Sequence, residues 1–294
     1  MSSSISPKRR LKRAFLQRGR RQATSRPTSP LVVAGMFRTA NGIGEAARRF
    51  HDALVEGGFF PIPVDTSAVL NQVDFEPDIE LHDMPRDSSG TILLIANPPE
   101  IESLLAVLRL WRWKSWKIIS YWCWELEQIP VNWPSAERFV TEVWKLVDFA
   151  RNAIAPQISV PIKTVPIPVP APDLMPNPLS RKSFRCLMMA DGRSSFSRKN
   201  IFTGIRIFQN AFDGNNNAHL TIKLRNMASF PEFREKLERT TYGRTNITVL
   251  AQTLSAKARW DLINDHDLIL SPHRAEGYGL HLAEGMALGK CVVA

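Results

Sequence analysis

The chain has 294 residues, 44% hydrophobic and 22% charged, enough for two ordinary α/β domains and large for one compact domain. Its formal charge of +10 points to an anionic partner, yet nine Lys or Arg and no Asp or Glu fall in residues 1–30, which leaves +1 for the rest. A nearly neutral body argues against a nucleic-acid surface spread over the fold, and no nucleic-acid partner is expected.

Residues 1–30, containing Ser, Arg and Pro, are too polar to bury a core and are expected to form a basic, disordered leader. Ile5, Leu11, Phe15 and Leu16 among the arginines also fit a short amphipathic helix on an anionic membrane surface. Both readings stay open at this point. No apolar stretch follows these charges, so the leader does not read as a secretory signal. The most apolar span, Ile101 to Trp124, is interrupted by Arg109, Arg112, Lys114 and Lys117, which is unsuitable for a transmembrane helix. Cys123, Cys186 and Cys291 lie far apart in apolar runs without metal-ligand spacing and are predicted to be reduced core residues. A cytoplasmic protein, soluble or peripheral at the inner face of the membrane, is the expectation.

From residue 31 strand-like and helix-like segments alternate. Leu31–Ala34 and Phe59–Val64 read as strands around a helix over Ile43–Leu54; Thr91–Ala96 and Lys117–Tyr121 read as strands around a helix over Ile101–Leu110. The first helix opens on Gly42-Ile43-Gly44-Glu45-Ala46-Ala47, a G-x-G-x-x-A spacing, with Asp65 about twenty residues on, where an acid meets a ribose in dinucleotide folds. That motif alone supports a nicotinamide- or flavin-dependent oxidoreductase as the alternative function. The seven residues Gly35 to Asn41 between strand and glycines weigh against it, because the fingerprint needs its first glycine directly after the strand. Tyr121 to Glu127 reads YWCWELE, and its tryptophans are expected in the core; Glu125, just past a strand, is a candidate sugar or acceptor contact.

Six prolines between Pro166 and Pro178 forbid helix and central strand, so an interdomain linker is placed at 166–182, between domains at 31–165 and 183–294. In the second domain the expected strands are Phe184–Ala190, His219–Leu224, Ile247–Leu250, Asp267–Leu270 and Cys291–Val293. Helices are expected at Ile201–Phe212, Glu232–Arg239, Ala256–Ile263 and Leu280–Leu288. The fold class is α/β, with two Rossmann-like parallel-sheet domains and a cleft expected between them. The polar loop Asp191 to Asn200 follows the first of these strands and carries Arg193, Arg198 and Lys199; Lys223 near the next strand's end is either a phosphate contact or a surface lysine. Asp265-His266-Asp267 spells D-x-D, but at a helix-to-strand passage with no further ligands nearby in sequence, so no metal site is expected.

The segment Ser271 to Ala294 is the most informative. Glu276 and Glu284 stand eight positions apart across a turn that carries Gly277 and Gly279 and leads from a strand into a helix. Such a turn lies at the carboxyl edge of a parallel sheet, facing a helix N-terminus, where phosphorylated ligands bind; the glycines let backbone amides approach an anion and the carboxylates suit hydroxyls. His273 beside it could touch the same ligand.

This Glu-x7-Glu pattern, with Arg193 and Lys199 before it, resembles the donor site of family 4 glycosyltransferases of the GT-B type, and YWCWELE is similar to a segment of bacterial members. The resemblance covers roughly Leu31 to Ala294. It implies a nucleotide sugar held mainly by the second domain and a glycan or lipid-linked acceptor facing the first, with retention of configuration and neither metal nor separate cofactor. By position, Arg193 and Lys199 would hold the diphosphate, Glu284 the ribose and Glu276 the donor sugar, while Gly42 and Gly44 shape the opposing wall. Polysaccharide biosynthesis is the family-level expectation. The family commonly has Gly-Lys-Pro where this chain has Gly289-Lys290-Cys291. It also continues beyond the donor motif, so the second domain is expected to be truncated, and an inactive nucleotide-binding fragment is a third reading.

Overall fold

The computed structural model describes residues 28–87, 89–110, 115–170, 183–192, 195–212, 215 and 217–294. Contacts divide the chain between Pro168 and Val169 into two compact units. Most of the proposed leader and residues 171–182 of the proposed linker lie outside the described residues.

The first unit is built on a six-stranded, all-parallel sheet in the order β2-β1-β3-β4-β5-β6. Its strands are β1 (Leu31–Gly35), β2 (Ile62–Asp65), β3 (Ser89–Ile95), β4 (Ser115–Tyr121), β5 (Glu142–Lys145) and β6 (Ile162–Thr164). The helices between them are α1 (Gly42–Glu56), α2 (Pro98–Val107) and α3 (Asp148–Ile154). β1 and β3 are nearly continuous apolar runs with Val32, Val33, Ala34, Ile92 and Leu94 fully buried, as a strand covered on both faces requires. Each of these Val, Ile and Leu side chains contributes about 1.5–3 kcal/mol by leaving water. α1 turns Ala46, Ala47 and Phe50 inward, and Phe50 packs on Tyr121 at 4.8 Å.

Two boundaries differ from the sequence reading. The run from Phe59 begins pairing only at Ile62, because the Phe59 amide donates back to Leu54 O after Gly58, at φ +80°, has ended the helix, and Pro61 has no amide to pair. α2 starts at Pro98 rather than Ile101: prolines in the first turn lose no helical hydrogen bond. β5 and β6 were not anticipated. In β5, EVWK carries two ionisable residues, yet Glu142 is buried because Lys163, Lys117 and the Trp144 indole meet its carboxylate at 2.9, 3.4 and 2.6 Å. Trp122 and Trp133 are core residues, packed edge to face.

The second unit has a five-stranded parallel sheet ordered β11-β10-β7-β8-β9. Its strands are β7 (Phe184–Asp191), β8 (Ala218–Arg225), β9 (Ile247–Ala251), β10 (Leu268–Leu270) and β11 (Cys291–Val293), and its helices are α4 (Phe196–Lys199), α5 (Ile201–Phe212), α6 (Pro231–Thr241), α7 (Ala256–Asn264) and α8 (Leu280–Ala287). All five strands and the four longer helices fall within two residues of their expected places. The cysteines are free; Cys186 is buried and Cys123 half-buried, and burial pushes both thiols up to about 12. Cys291 corrects the sequence reading: it is exposed, because β11 is an edge strand and not a central one. The D-x-D segment is structural. Asp265 pairs with Arg185, the Arg185 amide donates to Asp267 at 2.8 Å, and buried His266 bonds Leu262 O and Thr221 Oγ1. No cluster of three or more potential metal ligands occurs among the described residues.

Lys145, at the carboxyl end of β5, was not singled out by the sequence. Its side chain is fully buried and Nζ has no hydrogen-bond partner among the described residues; burial lowers its pKa to about 8, against the opposing pull of Cys123 and Glu125. A base whose folded pKa is depressed binds fewer protons folded than unfolded, so its contribution to stability rises with pH between about 8 and the unfolded value near 10.5. Replacing Lys145 with Met keeps the volume and removes the buried charge. We expect stability at neutral pH to increase by about 1–3 kcal/mol and the alkaline rise to shrink, as read by urea unfolding from pH 7 to 10.5. Unchanged stability in both ranges contradicts this account of Lys145.

Candidate functional site

In a parallel sheet the loops after the strands gather at one edge, and two of them meet in the second unit. The loop after β7 carries Ser195, whose hydroxyl caps α4 by accepting from the Arg198 amide. α4 ends at Asn200, held at φ 52° and ψ 37°, a left-handed conformation that Asn tolerates. Its side-chain amide donates to Pro272 O at 3.0 Å in the loop after β10. Two further bonds tie the same loops: the Arg198 guanidinium donates to Ala275 O at 2.6 Å and the Arg274 amide to Arg198 O at 2.9 Å.

These ties bring together residues 77 positions apart. Lys199 Nζ donates to Glu276 Oε2 at 2.5 Å, with Arg198 at 3.7 Å and His273 Nδ1 at 2.9 Å from the same oxygen. Burial alone would raise the Glu276 pKa; the His273 hydrogen bond and the Lys199 ammonium overcome that and hold the carboxyl well below the usual range. Glu276 Oε1 makes no hydrogen bond among the described residues, and the side chain is 28% exposed. His281, in the first turn of α8, lies with its ring 5.2 Å from that of His273 and tilted by 51°, and its Nε2 is buried without a partner among the described residues. Burial first, and the neighbouring His273 second, push its pKa down to about 3. The sequence reading missed His281; only its place beside the glycines marked it.

Gly279 precedes α8 at φ +70°, where a side chain would be strained, and its carbonyl accepts from the Leu282 and Ala283 amides. Gly277 lies in the bend between Glu276 and Gly279. Glu284, in α8, is 1% exposed and forms an ion pair with Arg259 of α7 at 3.1 Å. Lys223, on β8, is buried with no hydrogen bond or ion pair among the described residues; burial and the neighbouring Arg225 lower its pKa to about 8. Arg193 lies outside the described residues.

The glycines of the first unit behave differently from each other. Gly42 opens α1 with nothing near its Cα substituent position, whereas a side chain on Gly44 would sit 2.3 Å from Thr39 O and 2.6 Å from Met36 O. Asn41 caps the helix by accepting from the Gly44 amide at 2.8 Å, and Arg48 donates to Phe37 O and Thr39 O. Gly44 therefore serves close packing of helix on loop. Asp65 accepts from the Ser67 hydroxyl and amide, at 2.6 and 3.2 Å, so the acid that a dinucleotide would need is engaged in its own turn. Glu125 is half-buried in the field of Lys145.

A scan against protein-family profiles and a search of curated proteins give no match. Solved structures do match. A TarM variant of S. aureus, solved with fondaparinux, α-GlcNAc-glycerol and UDP, superposes with a TM-score of 0.52 at 15% identity, over 70% of this chain and 41% of its own. A glycosyltransferase from Rickettsia africae gives 0.61 at 13% identity, over 90% of this chain and 79% of its own. Anabaena HepE, solved with UDP and glucose, gives 0.59 at 11% identity, over 90% and 80%. At these identities the likeness is one of fold. The fold is the two-domain, parallel-sheet GT-B architecture of glycosyltransferases. This chain spans about two fifths of the TarM chain and about four fifths of the other two.

The pKa directions give a pH test of the site. Glu276, with its pKa lowered, contributes stability that is present above about 4.5 and lost as pH falls through the folded value. His281 stays neutral when folded while the unfolded imidazole protonates near 6.5, so stability falls as pH drops from about 6.5 towards 3. His281→Gln, which has no proton to gain, is expected to flatten the melting temperature between pH 6.5 and 4.5. An identical pH profile in the variant contradicts this placement of His281.

Proposed function

We propose that the chain is a glycosyltransferase that moves a sugar, of the hexosyl type, from a nucleoside-diphosphate donor to a glycan or lipid-linked acceptor. The observation that carries this reading is the Lys199–Glu276 pair beside the N-terminus of α8, with Glu276 Oε1 making no hydrogen bond among the described residues. An ammonium and a helix N-terminus suit a departing diphosphate, and a fixed carboxylate suits sugar hydroxyls. The structures with UDP bound among the similar folds support the same reading.

In this proposal Lys199 and Arg193 hold the diphosphate together with the amides around Gly277 and Gly279, and Lys223 supplies a further cation to it. Glu276 accepts hydroxyls of the donor sugar, and Glu284, ion-paired with Arg259, accepts those of the ribose. The acceptor hydroxyl oxygen forms its bond to the anomeric carbon as the bond from that carbon to the diphosphate oxygen breaks. The electron pair leaves with the diphosphate, which takes the acceptor's proton on the same face, so configuration is retained. Neither metal nor cofactor enters the step. The acceptor is assigned to the first unit, with Gly42 and Gly44 at its loop. The products belong to cell-envelope polysaccharide or lipid-linked glycan, made at the cytoplasmic face. Among the described residues no helix is long and apolar enough to cross a membrane, which is compatible with a peripheral attachment.

The test is nucleoside-diphosphate release from a panel of UDP- and GDP-hexoses in the presence of a membrane lipid extract, with the product anomer read by NMR. Glu276→Gln is expected to lower kcat by about 100-fold or more with a smaller change in donor KM. Glu284→Gln is expected to raise donor KM by about tenfold. Full activity in both variants, or an inverted product, overturns the corresponding part of the proposal.

A further inference from the structure

In the first unit an acidic surface lies at the β2 edge of the sheet. Between His51 and Gly90 the chain carries nine Asp or Glu and a single Arg. Glu56, Asp78, Glu80, Asp83 and Asp87 are exposed, and none of them forms an ion pair with another described residue. After β2 the chain runs back irregularly along that edge, where the His82 amide donates to Pro63 O at 2.9 Å. Between this return and the end of α1 lies a groove of about 520 Å³, lined by Val55, Phe59, Phe60, Ile62, His82 and Asp83. Phe60 is 91% exposed, Phe59 57% and Val55 51%, an apolar cluster set in an acidic surround.

The N-terminal segment joins the fold one strand in from this edge, at the amino end of β1 and against β3. The Thr28 amide donates to Thr91 Oγ1 at 2.8 Å, the Thr91 amide donates to Pro30 O, and two residues later Val32 lies opposite Ile62 of the groove. Residues 1–27 hold nine Lys or Arg, no Asp or Glu, and the apolar residues Ile5, Leu11, Phe15 and Leu16. Their composition is complementary to the groove in both charge and apolarity. Even at a helical rise of about 1.5 Å per residue, 27 residues reach far beyond the neighbouring strand. Tethering at Thr28 gives the segment an effective concentration on the order of millimolar, so modest attraction is enough to hold it.

We propose that residues 1–27 dock in cis on the β2-edge groove, with their apolar side chains against Phe59 and Phe60 and their cations against the acidic residues of 51–90. The segment then covers the exposed edge and the aromatic pair, and its positive charge is not displayed to an anionic lipid surface. This inference does not rest on the glycosyltransferase reading.

The test is limited trypsinolysis of the full chain, following cuts after the Lys and Arg of residues 1–27 by mass spectrometry, normalised to a synthetic peptide of residues 1–27 under the same conditions. Docking predicts cleavage about tenfold slower than in the peptide. That protection is expected to vanish in Phe60→Ser, a change at a solvent-exposed side chain, and in the pair Glu80→Lys with Asp83→Lys. It is also expected to fade between about 0.05 and 0.5 M salt, where screening shortens to a few ångströms. Cleavage as fast as in the peptide, or protection unchanged in Phe60→Ser, overturns the proposal. Protection that grows with protein concentration would assign the groove to another copy's leader, and protection that appears only with phosphatidylglycerol vesicles would assign the leader to membrane; either result overturns docking in cis.

Discussion

The contact on which the candidate site depends is the ion pair between Lys199 and Glu276, which joins the loop after β7 to the loop after β10. A partly exposed pair of this kind is worth about 1 kcal/mol or less in stability. Its consequence is positional. It fixes an ammonium and a carboxylate within hydrogen-bond reach, with the bonds from Arg198 to Ala275 and from Asn200 to Pro272 holding the two loops in register around it. One carboxylate oxygen is consumed by that arrangement and the other makes no hydrogen bond among the described residues. The parallel sheet is the cause further upstream: β7 and β10 are neighbours, so the loops that leave their carboxyl ends cannot be far apart.

The energetics of the site and of the sheets pull in different directions. The sheets are built from residues that leave water without penalty, such as Val32, Ile92, Leu220 and Ile222, all fully buried. The carboxyl edges, by contrast, keep ionisable groups out of water. Glu284 is almost wholly buried, and Arg259 compensates it; Lys223 is buried without a hydrogen bond or ion pair among the described residues, and the more distant charge of Asp191 does not offset its burial. A buried charge without a partner is costly, and such groups concentrate where a ligand completes the arrangement. Lys145 shows the same imbalance at the edge of the first sheet.

Much of this was legible in the amino-acid order. Apolar runs such as LVVAG and TILLI announced central parallel strands, and the glycine-bearing turn between Glu276 and Glu284 announced the passage from β10 into α8. What was not legible depended on distant partners. EVWK reads as polar until Lys117 and Lys163 are brought to Glu142, so β5 was missed. Phe59 and Phe60 read as strand although the helix end bends the chain outward before Pro61. Cys291 looked internal because local apolarity does not reveal which strand stands at a sheet's edge. His281 became noticeable only when its ring was found against His273, eight residues earlier in the chain.

The central claim is that the carboxyl edge of the second sheet binds a nucleoside diphosphate. The direct measurement is calorimetric titration of the full chain with UDP, GDP and NAD, after confirming by circular dichroism that it melts cooperatively, with Lys199→Ala in parallel. The account predicts saturable binding of UDP or GDP, weakened by about tenfold or more in the variant, as expected for loss of a charge-assisted contact. Binding of NAD in preference to either diphosphate, or diphosphate binding indifferent to Lys199, would contradict it.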